Sequence, residues 1–432
     1  MSTATAPHRL WRNTRYLTWL VSDTSRGLAA ALFGFAIPLL TLIVTDDPAL
    51  AGIIAGAGLV TRLLATLAGG ILADRHRRIA LMLGGSLLGI LLSGAFTLLA
   101  TADALTFAVL LVVDVLLAAR SGLFDVAGES AIKEIVPDEA MGRAQAANQG
   151  RDAALQLAGG PLGGLLLGLG GWAVGLVMTL CHAIAAAAAA VLLRRPADPR
   201  PPAATDAPHP AAANPDTPRT SALTELRQGF SWLLSRPDLG GVLAIITIVN
   251  LGFNAAITTT IYALQQSGHS EFLIGAVSAG IGAVMLVGAV IAPFLVPRVG
   301  AGVLTITALS IVAVGAVALS GVTAPWAIVT VLGASVVLLP ALNAGMMGYF
   351  MVATPSHLLG RANSAAGVLG MGAMPLGPLI AGFGLAAIGR QNTILLCAGL
   401  CAVAVILAVC NRALRALPVE EKWAAHAAQY ER

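Results

Sequence analysis

Long apolar runs separated by short polar stretches recur along the chain, near positions 16–45, 49–73, 79–101, 104–126, 145–169, 172–193, 239–264, 272–296, 301–320, 325–350, 362–388 and 393–411. Each is close to the roughly 20 residues that a helix needs to cross a bilayer. The runs are continuous, as over 155–193, and do not alternate as the strands of a membrane barrel would. The pattern therefore predicts an all-α integral membrane protein of twelve transmembrane spans.

The pattern breaks once, between spans 6 and 7. Residues 196–220 are rich in Pro, Ala and Asp and read as a cytosolic linker. Over 221–236, Leu223, Leu226, Phe230, Leu233 and Leu234 fall at helical spacing, which predicts an amphipathic helix on the membrane surface. The expected organisation is a six-span bundle over 1–195, the linker, the surface helix, and a second six-span bundle over 237–432 that ends in a short tail.

An internal repeat supports two bundles. Pro137-Asp-Glu-Ala-Met-Gly142-Arg143-Ala144 corresponds to Pro355-Ser-His-Leu-Leu-Gly360-Arg361-Ala362 at an offset of 218 residues, and the glycines of 159–164 correspond to those of 377–382. A duplication of this kind, with both copies in the same orientation, implies two pseudo-symmetric halves around a central site.

Composition narrows the class further. The 432 residues are 57% hydrophobic and 11% charged, which excludes an ordinary soluble enzyme. The net charge of +4 comes from arginines in short loops, so it reports topology rather than a nucleic-acid partner. With the amino terminus in the cytosol, Arg75, Arg77, Arg78, Lys133, Arg143, Arg194, Arg298, Arg361 and Arg412 all fall inside. The other side then receives Asp46, Asp47, Asp103 and Glu271, with Arg390 as its cation. Cys181, Cys397, Cys401 and Cys410 lie in apolar runs without metal-ligand spacing, so neither a disulfide nor a metal is expected. There is no phosphate-binding Gly-Lys-Ser/Thr loop, no His-Glu-x-x-His and no hydrolase nucleophile motif. The reading is a protein without cofactor or enzymatic activity, whose energy source is an ion gradient. A bacterial cytoplasmic membrane, both termini in the cytosol and a monomeric state are the accompanying expectations.

Charges inside the hydrocarbon region are the most informative residues, because each is costly unless it is paired or lines water. They are Asp23 and Arg26 in span 1, Arg62 in span 2, Asp114 and Arg120 in span 4, and Arg151 and Asp152 early in span 5. Asp23 and Arg26 are three residues apart and can pair on one helix face. Burial raises the proton affinity of a carboxylate and a nearby arginine lowers it, so a moving arginine can load or release a proton. His182, alone on an apolar helix, reads as a packed neutral imidazole. The second half offers uncharged groups for a substrate: Asn250, Phe253, Asn254 and Tyr262 in span 7, and Asn343, Met346, Met347 and Tyr349 in span 10.

Two motifs carry a resemblance. Gly69-Gly70-Ile-Leu-Ala-Asp74-Arg75-His-Arg77-Arg78 closes span 2, and Gly159-Gly160-Pro161-Leu-Gly163-Gly164 lies in span 5. Together with Phe124-Asp-Val-Ala and Ile135-Val-Pro137-Asp-Glu, they resemble the macrolide and siderophore exporter branch of the major facilitator transporters. The resemblance implies two six-helix bundles that rock around a central cavity, with drug:proton antiport as the activity. It also implies a cytosolic gate at Gly70, Asp74, Arg75 and Arg78, and a hinge at Gly159, Gly160, Pro161, Gly163 and Gly164. The expected partners are the lipid bilayer, protons and a small, partly hydrophobic molecule. Alternatives are a proton-coupled importer of a nutrient or lipid-like solute, and a membrane sensor that transports nothing.

Overall fold

The structure, a computed structural model, describes residues 10–194, 222–355 and 358–430. The expected linker at 196–220 lies outside them. The first half comprises α1 (Thr14–Thr45), α2 (Pro48–Arg75), α3 (Arg78–Thr101), α4 (Phe107–Ile135), α5 (Asp138–Leu169) and α6 (Gly171–Arg194). Polar caps set several starts. Asn13 accepts from the amides of Arg15 and Tyr16, and Asp47 caps α2 just ahead of Pro48, so orphan amides at these helix ends are satisfied.

The second half starts with α7 (Ala222–Ser235) and continues through α8 (Gly240–Gln266), α9 (Glu271–Leu295) and α10 (Ala301–Ser320). Span 10 is broken into α11 (Pro325–Val336) and α12 (Leu339–Ala353), with Pro340 at the start of the second piece. Span 11 is broken likewise, between α13 (Leu359–Gly372) and α14 (Leu376–Cys410), at Pro375. Within α14, Gly389 has a φ of 75°, a left-handed conformation open to glycine. The chain doubles back there, because Gly384 packs on Thr393, whereas nine residues of straight helix would hold them about 13.5 Å apart. Span 11 thus ends and span 12 begins inside α14.

Ten helical stretches among the described residues are long and apolar enough to cross a membrane. The hairpin in α14 adds one span, and α5, more polar at its start, adds another, which gives the twelve-span arrangement. Large apolar side chains such as Leu64, Leu91 and Val314 are exposed, as suits a lipid-facing surface. The expected surface helix, α7, docks on protein: Leu233 is in the core, Gly229 lies against the Arg361 carbonyl, and Arg361 donates to Gln228 Oε1 at 2.8 Å. Part of its apolar face is therefore used for packing within the second half.

The halves meet through glycines toward the face that bears Asp46, Asp47 and Glu271. Gly160 and Gly164 of α5 abut Ser278, Gly275 and the Glu271 carbonyl of α9. Across the pseudo-twofold axis, Gly52 and Gly56 of α2 abut Pro378, Gly382 and Leu379 of α14. Any Cβ at Gly164, Gly275, Gly52 or Gly382 would strike backbone, so these positions let helix axes approach as larger residues could not. Tyr262 of α8 adds a hydrogen bond to the Ala51 carbonyl at 3.4 Å.

Candidate functional site

Buried charges of the first half form one network. Arg26 on α1 pairs with Asp23 and, at 3.1 Å, with Asp125 on α4. Asp23 also takes Arg151 of α5 at 2.7 Å, and Arg151 holds Asp152 at 2.7 Å. Arg120 approaches Asp125 at 3.7 Å, and the Ser121 hydroxyl donates to the same carboxylate. Small residues make room: Gly128 leaves space for the Arg26 guanidinium, and the Gly128 carbonyl accepts from the Trp19 indole at 2.9 Å. The network ties α1, α4 and α5 together with alternating charges, and paired burial is what makes these ions tolerable in a bilayer.

Asp114 stands apart. It is 4% exposed, and its Oδ2 has no hydrogen-bond partner among the described residues. Its carboxylate lies on Gly58 of α2, where a Cβ would displace it. Arg120 does not reach it, because Asp114 turns toward α2 while Arg120 and Asp125 converge where α1, α3 and α4 meet. Asp114 instead lines a cavity of about 250 Å³ together with Arg62, Arg120, Ser121 and His182. Phe33, Phe35, Leu59, Leu117, Met178 and Ile261 supply its apolar wall, and Thr258, Tyr262 and Pro378 close it from the second half. Arg62 is exposed to this space and has no ion-pair partner among the described residues.

The other sequence candidates distribute as follows. His182 packs on Gly89, yet its ring also lines the cavity and its Nδ1 has no partner among the described residues. Asn250, Asn254, Asn343 and Met347 are exposed and Phe253 is buried in the core, and none of the five lines this cavity. The second-half contribution comes instead from Thr258, Ile261 and Tyr262, one to two turns farther along α8. Gly70, expected in the cytosolic gate, faces open space, whereas its neighbour Gly69 abuts the Gly122 and Leu123 carbonyls of α4. Adjacent residues point about 100° apart on a helix, so only one of the two can face α4. The Asp74 side chain lies outside the described residues. Arg75 is exposed, and Arg78 stays within the first half, reaching Glu134 at 3.4 Å and the Ser130 carbonyl at 3.3 Å.

In span 5, Gly159 and Gly163 face Ala31 and Phe35 of α1, while Gly160 and Gly164 face α9. Pro161 sits inside α5 without ending it. Asp125 is the hub that the sequence reading left out. The apolar run of span 4 stops near 126, whereas α4 continues to Ile135 and carries the residue well inside the bundle. A cue was available: Ser121 lies four residues ahead of it, one turn away on the same helix face.

A second polar cluster sits in the other half at the start of α8, where the end of α12 and the C-terminal segment meet it. Arg236 forms a two-pronged pair with Asp238 at 2.9 and 2.8 Å. Tyr349 of α12 donates to Asp238 at 2.6 Å and meets His426 Nδ1 at 2.9 Å. Because the carboxylate only accepts, the hydroxyl proton belongs to Asp238 and the imidazole Nδ1–H donates to the hydroxyl oxygen. Arg236 also lies over the rings of Trp232 and Tyr430, and Trp423 packs on Gly348. Burial alone would push Asp238 upward, but the hydrogen bonds from Arg236 and Tyr349 outweigh it and hold its carboxyl below the usual range. Burial pushes the His426 imidazole below its usual range.

Solved transporter structures share this fold. A bacterial homologue of the iron transporter ferroportin, in an inward-facing state, superposes with a TM-score of 0.68 at 16% identity, covering 93% of this chain and 98% of that one. A bacterial metal transporter gives 0.62 at 15% identity, covering 94% and 99%. The nucleoside transporter NupG gives 0.62 at 13% identity, covering 91% and 100%. No curated protein matches the sequence. The profile of the Major Facilitator Superfamily matches residues 24–376, from within α1 to the start of α14. With this match over most of its length, a duplicated twelve-span architecture and an inter-half cavity, the chain belongs to the Major Facilitator Superfamily of membrane transporters.

Proposed function

We propose that the protein is a secondary active exporter, which exchanges protons for a small, partly apolar molecule by alternating access in a bacterial cytoplasmic membrane. Asp114 carries this reading. Asp23 and Asp125 are each held by two guanidiniums, so a change in their protonation would loosen contacts that bind α1, α4 and α5. Asp114 holds no such contact, lines the cavity, and can gain or lose a proton without dismantling the bundle.

The geometry supports an alternating cycle. A cavity closed by the glycine seam toward the acidic face receives substrate from the basic face, which we take as cytosolic. Substrate and proton exclude each other at Asp114, so only a loaded site, carrying one or the other, reorients. Glycine seams allow the reorientation because close backbone contact can slide without side chains unlocking. The mixture of aromatic, aliphatic and methionine side chains around the cavity supports a partly apolar substrate. A monomer suffices, since one chain supplies both halves.

The test is proton flux in proteoliposomes under an imposed pH gradient, with wild type and Asp114→Asn compared across a panel of lipophilic compounds. Antiport predicts substrate-triggered proton movement that disappears in the variant. Uptake along with protons, rather than against them, would reverse the proposed direction. Absence of ligand-dependent flux from folded protein for every compound would rule out a broad-range exporter.

A further inference from the structure

The cavity wall is electrically polarised along the bundle axis, and the polarity specifies a substrate. At one end, Asp114 presents a carboxylate whose Oδ2 has no donor among the described residues. Toward the other end, Arg62 stands one helical turn, about 6 Å, beyond the Gly58 backbone on which Asp114 rests. Arg120 stands six residues beyond Asp114 on α4, about 9 Å of rise. The two arginines differ in availability. Arg120 is committed to Asp125 and to the Gly85 carbonyl, whereas Arg62 has no ion-pair partner among the described residues and is exposed to the cavity. The rest of the wall is largely apolar, with Phe33, Phe35 and Ile261 among its lining.

From this arrangement we infer that the cavity takes a zwitterionic amphiphile, with an anionic group on Arg62, an ammonium on Asp114, and an apolar body several ångströms long between them. The inference rests on the proposed exchange at Asp114 and gives it a chemical form. An ammonium that arrives at protonated Asp114 forms an ion pair with the carboxylate, and the carboxyl proton leaves to water, so one positive charge replaces another. A substrate that is only an anion has the opposite linkage: it binds best when Asp114 is neutral, and would travel with the proton. The guanidinium supplies the second anchor, since a planar fork matches a carboxylate or phosphonate oxygen pair.

The experiment uses the full chain in nanodiscs and four probes of one shape: 6-(aminomethyl)-2-naphthoate, 2-naphthoate, 2-(aminomethyl)naphthalene and 2-naphthamide. Affinity is read by calorimetry and proton release by running each titration in buffers of different ionisation enthalpy. Wild type should bind the zwitterion about tenfold tighter than either singly charged probe, and release a proton only with the two amines. Arg62→Gln should reduce the zwitterion to the level of the amine, with Arg62→Lys restoring part of the preference. Asp114→Asn should reduce it to the level of the naphthoate and abolish proton release. Equal affinities for the zwitterion and the plain amine, with proton release intact, would overturn the substrate class while leaving proton exchange standing. Zwitterion preference without proton release would keep the class and remove the exchange. Binding of none of the four probes would overturn both.

Discussion

The two halves share a helix plan and a glycine seam, yet they keep their charges in different places. The first half holds Asp23, Arg26, Asp114, Arg120 and the half-buried Arg151 within its spans. The second half places its buried ion pair, Arg236 and Asp238, just ahead of the start of α8, where Tyr349 and His426 seal it. Duplicated architecture therefore does not mean duplicated chemistry. The first half bears the ionisable groups inside the membrane, while the second half supplies an uncharged wall at the cavity and a polar brace away from it. In the proposed cycle, what the halves have in common, close glycine contacts, serves their relative motion, and what differs serves coupling.

Stability measurements on single variants can break this division of labour. The largest effect is expected for Arg26→Met, which removes the one cation that Asp23 and Asp125 share and should cost about 3–5 kcal/mol in detergent-unfolding experiments. A smaller loss would mean that the network is not the structural core of the first half. Next come Gly164→Leu and Gly382→Leu, one on each side of the seam, each overpacking a backbone contact at about 1–3 kcal/mol. The comparison predicts matched losses and matched opening of the acidic face, read by cysteine labelling on a background without native cysteines. Unequal losses would show that the pseudo-symmetric seams are not equivalent.

The brace of the second half should respond to pH. His426 is neutral in the fold and sits below its usual range, so its contribution is present above about pH 6.5 and lost as pH falls and the imidazole must charge beside Arg236. Limited proteolysis after Trp423 should accelerate on moving from pH 7.5 to 5.5, and His426→Ala should remove that dependence at a cost of about 1 kcal/mol. The smallest effect on stability is expected for Asp114→Asn, under about 1 kcal/mol in either direction, because no ion pair is lost. A large loss there would make Asp114 a structural residue and remove its contrast with Asp23 and Asp125.

Much of the architecture was legible in the sequence because transmembrane helices announce themselves by length and apolarity. The turn inside α14 falls between the predicted runs 362–388 and 393–411, and the break in span 10 falls at Pro340, inside a single predicted run. The site was less legible, for physical reasons. Asp23 and Arg26 pair locally, and helical spacing is enough to see them. Asp125 recruits Arg26 from a sequence separation of 99 residues, which no periodicity encodes. The cavity lies toward the first half, so the exposed asparagines of spans 7 and 10 do not line it, and His182, read as packing, turned out to line the wall as well. The brace around Asp238 depends on residues far along the chain, in a segment whose sequence carries no strong pattern.

That separation has a consequence for biosynthesis. Asp238 is fully buried, but its seal comes from Tyr349 and His426, so the ribosome must add nearly two hundred further residues before the carboxylate is enclosed. Until then, a nascent chain whose seventh span has already entered the bilayer displays a bare Arg236–Asp238 pair at the membrane surface. Folding of the second half is thus completed from its far end, and a premature stop anywhere before Trp423 would leave a product that quality-control proteases can distinguish from the finished protein.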